Sequence, residues 1–258
     1  MLSRLEVIDL GLIEYERAWA LQEAYAAEIA AGQRLPTLLL LEHPHTFTFG
    51  RRGQPEHLLW SPEELERRGV TVHWVDRGGD VTYHGPGQLV GYPLLPLERI
   101  GPAHLGRTEA RSEAGAEATP VADYVGYIRR LERVLILALE RLGVRAVQRA
   151  GLSGVWLPPE VWGRRRDRQT ASGAGMAKIA SIGVKVDAQG ITRHGFALNV
   201  CPDMSYWKGI VACGLHEPMA ALAEVISPAL SMEQVKAQVV AAFGQVFDMQ
   251  PMLVESTA

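Results

Sequence analysis

The sequence predicts an α+β fold, a mixed and largely antiparallel sheet flanked by helices. Two observations lead there. Apolar runs of strand length interrupt the helical periods irregularly, unlike the strict strand-helix alternation that builds a parallel sheet. Three segments carry apolar residues at helical spacing with capping or stop signals at an end, and these supply helices to cover the sheet. No stretch of the 258 residues looks like a linker between two complete cores, so residues 1–258 are expected to form a single globular domain.

The first helix is expected from Leu12 to Ala31, where Tyr15, Trp19, Gln22, Ala26 and Ile29 recur near helical spacing and Gly32 stops the run. Thr37 to Glu42 and Thr46 to Phe49 read as strands interrupted by Pro44. Ser61-Pro62-Glu63-Glu64 is a capping-box start with proline at the first helical position, so a short helix follows. Val70 to Val75 resumes the strand pattern, a glycine-rich loop comes next, and Leu89 to Leu94 continues as a strand. From Asp123, residues Ile128, Leu131, Leu135 and Leu142 mark a second long amphipathic helix closed by Gly143. Ser153 to Leu157, Lys178 to Val186 and Ile191 to Val200 read as further strands. The capping box Ser231-Met232-Glu233-Gln234 opens a last helix with Val235, Val239, Phe243 and Val246 on one face. Two polar stretches without apolar period, near 98–120 and 158–175, are expected to be flexible loops.

A composition of 47% hydrophobic and 21% charged residues fits a globular interior, and a net charge of −3 removes any bulk electrostatic case for nucleic acid or membrane partners. The start of the chain carries Arg4, Glu6 and Asp9 in place of a basic segment and apolar core, and no apolar run approaches the roughly 20 residues of a bilayer span. A cytoplasmic protein is expected. Its two cysteines, Cys201 and Cys213, are too few for a disulfide scaffold. Lys178, Lys185, Lys208 and Lys236 are the only lysines among 26 basic residues; arginine keeps its proton at any usable pH, so an amine base must come from these four.

The run Arg77-Gly78-Gly79-Asp80-Val81-Thr82-Tyr83-His84-Gly85-Pro86-Gly87 continues to Pro93 and has the composition of a ligand-holding loop, because glycine lets backbone N–H groups approach a ligand closely. It matches neither the dinucleotide fingerprint nor the phosphate loop, whose lysine is missing. Cys213, followed by Gly214 and preceded by an apolar run, suits a nucleophile if a cation, base or helix N-terminus raises its thiolate fraction; the alternative is an ordinary buried thiol. Cys201 ends an apolar strand and fits the buried-thiol reading better. Lys178 shares a strand face with Ala180, Ile182 and Val184 by alternation; turned inward, its amine is desolvated and suited to proton transfer, and turned outward it reaches water. His84 and His194, each followed by glycine, could line one pocket. A metal site from His84, His194, Cys201 and Cys213 has no supporting ligand spacing, and none is expected.

Five motifs, R-G-G-D-V-T-Y-H-G-P-G-Q-L-V-G-Y-P at 77–93, G-V-W at 154–156, K-I-A-S-I-G-V at 178–184, H-G-F-A-L-N-V at 194–200 and A-C-G at 212–214, together resemble the octanoyltransferase family of lipoate biosynthesis. The resemblance runs from about His43 to Gly214, in the family's order. It implies an octanoyl-acyl carrier protein:protein N-octanoyltransferase without cofactor, with a fold resembling biotin protein ligases and lipoate ligases. The donor would be octanoyl-acyl carrier protein. The acceptors would be lysines on the lipoyl domains of 2-oxoacid dehydrogenases and on the glycine-cleavage carrier protein. Cys213 would carry the acyl group as a thioester, and Lys178 would hold its thiolate and move protons. Arg77, Gly78, Gly79, Asp80, Val81, Thr82, Tyr83 and His84, with Ser181, Ile182 and Gly183 and with Gly195, Phe196 and Ala197, would form the acyl and thioester pocket. Ala212 and the two inserted loops depart from the family pattern and bear on substrate access. Arg164, Arg165, Arg166 and Arg168 in the second loop could steer an acidic carrier protein. The alternatives are an ATP-dependent lipoate or biotin ligase of the same fold and a non-catalytic acyl-binding module.

Overall fold

Leu5 and Val7 alternate with Arg4 and Glu6, and this period-two pattern folds as strand β1 (Ser3–Leu12). Two of the charges that made the segment look like a polar start are paired within the fold, Glu6 with Arg34 and Asp9 with Lys236. The computed structural model describes residues 2–97, 123–163, 175–212 and 217–255. After β1 come α1 (Tyr15–Ala30), β2 (Thr37–Glu42), β3 (Thr46–Phe49), α2 (Pro62–Arg67), β4 (Thr71–Trp74), β5 (Val81–His84) and β6 (Gln88–Leu94). The second half contributes α3 (Tyr124–Arg141), β7 (Val147–Arg149), β8 (Leu152–Leu157), α4 (Pro159–Trp162), β9 (Ala177–Val186), β10 (Thr192–Asn199), α5 (Met232–Phe247) and β11 (Met249–Val254).

The expected mixed, largely antiparallel sheet is present, with eight strands in the order β11-β1-β2-β6-β10-β9-β8-β7. β1 lies parallel to both β11 and β2, and every other pairing in this sheet is antiparallel. A second sheet, β4-β3-β5, has three strands. Pro251 sits in β11 at the sheet edge, where a missing N–H costs no ladder hydrogen bond.

Burial on both faces explains the unbroken leucine run of β2. Leu38 and Leu40 join the core beneath α3 and α5, with Leu131, Leu135, Val239 and Phe243, while Leu39 and Leu41 face α1 with Tyr25, Ala26 and Ile29. A third cluster, Phe47, Phe49, Val81, Tyr83 and Trp207, fills the space behind the small sheet. The helix starts follow their caps. Ser61 accepts from the Glu64 N–H, Asp123 accepts from the Gly126 N–H at 2.7 Å, and Ser231 and Gln234 close a reciprocal box.

The glycine-rich run is not one loop. Val81 to His84 is a strand and Gln88 begins the next, so only 77–80 and 85–87 are irregular. Its β-branched and aromatic centre pairs with β3 because the glycines stand at the ends of the strands and not within β5. The expected loops near 98–120 and 158–175 fall mostly outside the described residues, as do Arg164, Arg165, Arg166, Arg168 and Cys213. Within the second of them, Pro159 to Trp162 form the short helix α4.

Candidate active site

Among the described residues, β5, β9, β10 and the 77–80 turn converge on a cavity of about 620 Å³, within the usual range for small-molecule sites. Strand alternation decides which motif residues reach it. Asp80, Thr82 and His84 line the cavity, whereas Val81 and Tyr83 point into the aromatic cluster behind. Arg77 and Gly79 also line it. Gly78 instead docks the turn on β9, its N–H donating to the Val184 carbonyl at 2.9 Å. Gly183 leaves room for this docking: a β-carbon there would stand 3.0 Å from Arg77 Cδ and from the Gly78 oxygen. Arg77 Nη2 donates to the Thr48 carbonyl at 2.6 Å and to its hydroxyl at 2.9 Å, tying the turn to β3 as well.

β9 carries Lys178, Ser181, Ile182 and Gly183 to the cavity, and β10 brings His194, Gly195, Phe196 and Ala197. Simple alternation groups Lys178 with Ala180. The structure departs from this because pairing with β8 steps from Val155–Ala180 to Trp156–Lys178, a bulge that inserts one residue and reverses the facing of everything before it. Lys178 thereby shares the cavity with Ser181 and Gly183, while Ala180 packs in the core. The inward reading of Lys178 holds: it is 5% exposed, with Nζ 5.5 Å from the centre of the Trp156 ring. Its backbone is clamped on the other side, N–H to Pro218 and C=O from Ala220, both at 2.9 Å.

Sequence reading missed the support under this lysine. Gly154 adopts φ +116° beside it, and the Gly154 N–H donates to Glu132 Oε1 at 3.0 Å. Glu132 is fully buried on α3, and its second oxygen takes Arg129 Nη1 at 2.6 Å. A charged residue at a buried helix position next to a strand glycine is the available signal, and no single-sequence pattern connects positions so far apart.

The histidines are orientation elements. His84 Nδ1 donates to Gln88 Oε1 at 2.8 Å, and its Nε2 meets Thr48 Oγ1 at 3.3 Å. His194 Nε2 lies 2.7 Å from Asp76 Oδ1, and its backbone, held at φ 55°, donates to Gln22 on α1 at 2.7 Å. Burial depresses the basicity of both rings, and the hydrogen bond from His194 holds the Asp76 carboxyl well below the usual range, helped by Lys185 and Arg193. His43, not anticipated, bridges the Ile13 carbonyl and the Tyr92 hydroxyl at 2.8 Å each, and burial pushes it down to about 4. Burial likewise pushes the Tyr15 phenol, on the cavity wall, up to about 12. Cys201 is a correction: it is exposed and not a buried thiol, because the chain turns away after β10 with its N–H bonded to the Gly87 carbonyl.

Comparison with known proteins places this architecture. An octanoyltransferase of Chloroflexus aurantiacus is 41% identical over 96% of each chain. One of Gloeobacter violaceus is 38% identical, covering 96% of this chain and 93% of its own. Among solved structures, the bi-partite lipoate protein ligase of Thermoplasma acidophilum superposes with a TM-score of 0.65 at 15% identity, over 100% of this chain and 88% of its own, which shows a shared fold. Residues 14–244 match the family described as Lipoyl protein ligase A/B catalytic domain. The chain therefore belongs to that family and, within it, to the octanoyltransferases, enzymes of acyl transfer.

Proposed function

We propose that this protein takes an octanoyl group from octanoyl-acyl carrier protein and delivers it to a specific lysine of lipoyl domains in the cytoplasm, through a thioester on Cys213. The observation that carries the reading is Lys178, a buried amine held on the wall of a cavity that also offers Phe196, Ile182, Leu152 and Ala197 as an apolar lining. Sequence likeness at 41% to an octanoyltransferase, against 15% to a ligase sharing the fold, favours transfer from a thioester over ATP-dependent activation of a free acid.

In this mechanism the Cys213 thiolate attacks the donor carbonyl, the carbonyl–sulfur bond of the donor breaks, and the departing thiolate takes a proton from the Lys178 ammonium. The neutral Lys178 amine then accepts a proton from the acceptor nitrogen as it adds to the Cys213 thioester, and the Cys213 thiolate leaves. The pair returns to its starting charge state. Exclusion of water by the buried walls protects the thioester from hydrolysis. Arg164, Arg165, Arg166 and Arg168 give the acidic donor protein a basic segment to meet.

Incubation with octanoyl-acyl carrier protein and intact-mass measurement tests the reading. The wild type and Cys201→Ala should gain one octanoyl increment, and Cys213→Ala should gain none and transfer nothing. An increment retained in Cys213→Ala assigns the nucleophile elsewhere, and transfer that requires ATP returns the protein to the ligase reading.

A further inference from the structure

The proton count of the proposed cycle leaves one group unassigned. Cys213 and Lys178 exchange protons in a closed loop only when the acceptor lysine arrives as a free amine. With an ordinary lysine pKa of ~10.4, fewer than about one acceptor in a thousand does so near neutral pH. The ammonium form brings a surplus proton, and neither member of the pair can keep it without losing its starting state.

His57 is placed to receive it. The residue ends a short helical turn, lines the cavity, and presents Nδ1 to Asp80 Oδ2 at 2.5 Å. Asp80 is itself fixed, its Oδ1 accepting from the Val81 N–H at 2.7 Å. With Nδ1–H donated to the carboxylate, Nε2 has no hydrogen-bond partner among the described residues, the arrangement that orients an imidazole as a base. The turn is also stitched to the segment leading to the nucleophile. Leu58 bridges Ile210, Leu59 N–H donates to the Gly209 carbonyl at 2.8 Å, and Val211, two residues before Cys213 in sequence, donates to the His57 carbonyl at 2.9 Å. The other charged or titratable groups on the cavity wall are Arg52, Arg77, His84, Arg129, Lys178 and His194, with the phenols of Tyr15 and Tyr92.

We propose that His57, oriented by Asp80, takes the proton from the acceptor lysine's ammonium before attack and releases it to solvent. The N–H bond of the ammonium breaks, an N–H bond forms at His57 Nε2, and the freed lone pair attacks the thioester carbonyl. The second proton lost by that nitrogen passes to Lys178 as described above. This assignment rests on the thioester reading, and it divides the two half-reactions. Loading of Cys213 does not involve His57; unloading to lysine does.

The test isolates the octanoyl-enzyme, loaded from octanoyl-pantetheine, and follows its discharge to a lipoyl domain and to hydroxylamine, a nucleophile already neutral at the same pH. In His57→Gln, discharge to lipoyl-domain lysine should fall by roughly a hundredfold while discharge to hydroxylamine stays within about twofold of wild type. The slow lysine reaction should climb about tenfold per pH unit as the acceptor ammonium deprotonates on its own, more steeply than the wild type. Asp80→Asn should lose less of the lysine discharge than His57→Gln, since the ring keeps its place and loses its orienting acceptor. Equal losses with both nucleophiles, or no loss with lysine, overturn the assignment alone. A wild-type protein that takes up no acyl mass overturns the thioester reading and this assignment with it.

Discussion

Gly154 makes room for Lys178: a β-carbon built on it would stand 2.5 Å from Lys178 Cε and 2.6 Å from the Ala180 carbonyl oxygen. Its φ of +116° also lies where side chains are rarely tolerated. The buried Glu132 carboxylate holds this residue by its N–H, so α3 sets the position of the amine through β8.

Gly154→Ala should therefore slow turnover by roughly a hundredfold, the scale of a misplacement of about an ångström at a reacting group. On the proposed pairing of Lys178 with Cys213, alkylation of Cys213 should shift to higher pH in this variant, as it should in Lys178→Ala, because both would withdraw the cation from the thiol. Lys178→Arg should not restore transfer, since guanidinium keeps its proton. Stopped-flow alkylation across pH checks the two shifts and an octanoyl-transfer assay checks turnover and the arginine variant; a wild-type alkylation profile in Gly154→Ala would separate the glycine from the lysine.

Acyl-chain selection is predicted to depend on Phe196. Its ring lies over Gly91 on the paired strand, where a β-carbon would approach Phe196 Cζ to 2.1 Å, and its other side lines the cavity. Phe196→Leu should lengthen the space and raise the kcat/KM ratio of dodecanoyl over octanoyl thioester by roughly tenfold. The converse, Gly91→Ala, should drive the ring into the cavity and penalise octanoyl relative to hexanoyl. Competition between thioesters read by mass spectrometry decides, and an unchanged ratio in both variants places the chain end elsewhere.

Acid should destabilise the fold through its buried histidines. His43 is held at about 4 against 6.5 when unfolded, and His84 and His194 are shifted in the same direction. The unfolded chain thus binds protons first as pH falls. The stabilisation from His43 is complete above 6.5 and lost progressively down to about 4, at no more than about 1.4 kcal/mol per pH unit for each histidine. Urea midpoints between pH 7 and 4.5 should decline, and His43→Gln, though less stable at neutrality, should decline less steeply. Parallel declines would assign the acid sensitivity to other groups.

The helices, the central strands and the cavity-facing motifs were legible in the chain because their signals are local. Leu131 and Leu135 declare an amphipathic face, Ser231 and Gln234 a helix start, and Gly78, Gly79 and Gly183 the places where backbones approach. β1 and β11 were not legible as strands, since Arg4, Glu6, Asp9 and Pro251 disguise short segments whose stability comes from pairing with each other and with β2. The facing of Lys178 needed the structure too. A bulge is a mismatch between two strands, and one strand's pattern cannot record it. The same holds for Glu132 beneath Gly154 and for Asp80 against His57. What the sequence by itself determined was the set of elements and the residue types available for chemistry, because propensity, capping and period act over a few residues. Tertiary structure alone decided which side chains share the cavity and which groups the histidine nitrogens bond. Those are properties of contacts between segments far apart in the chain.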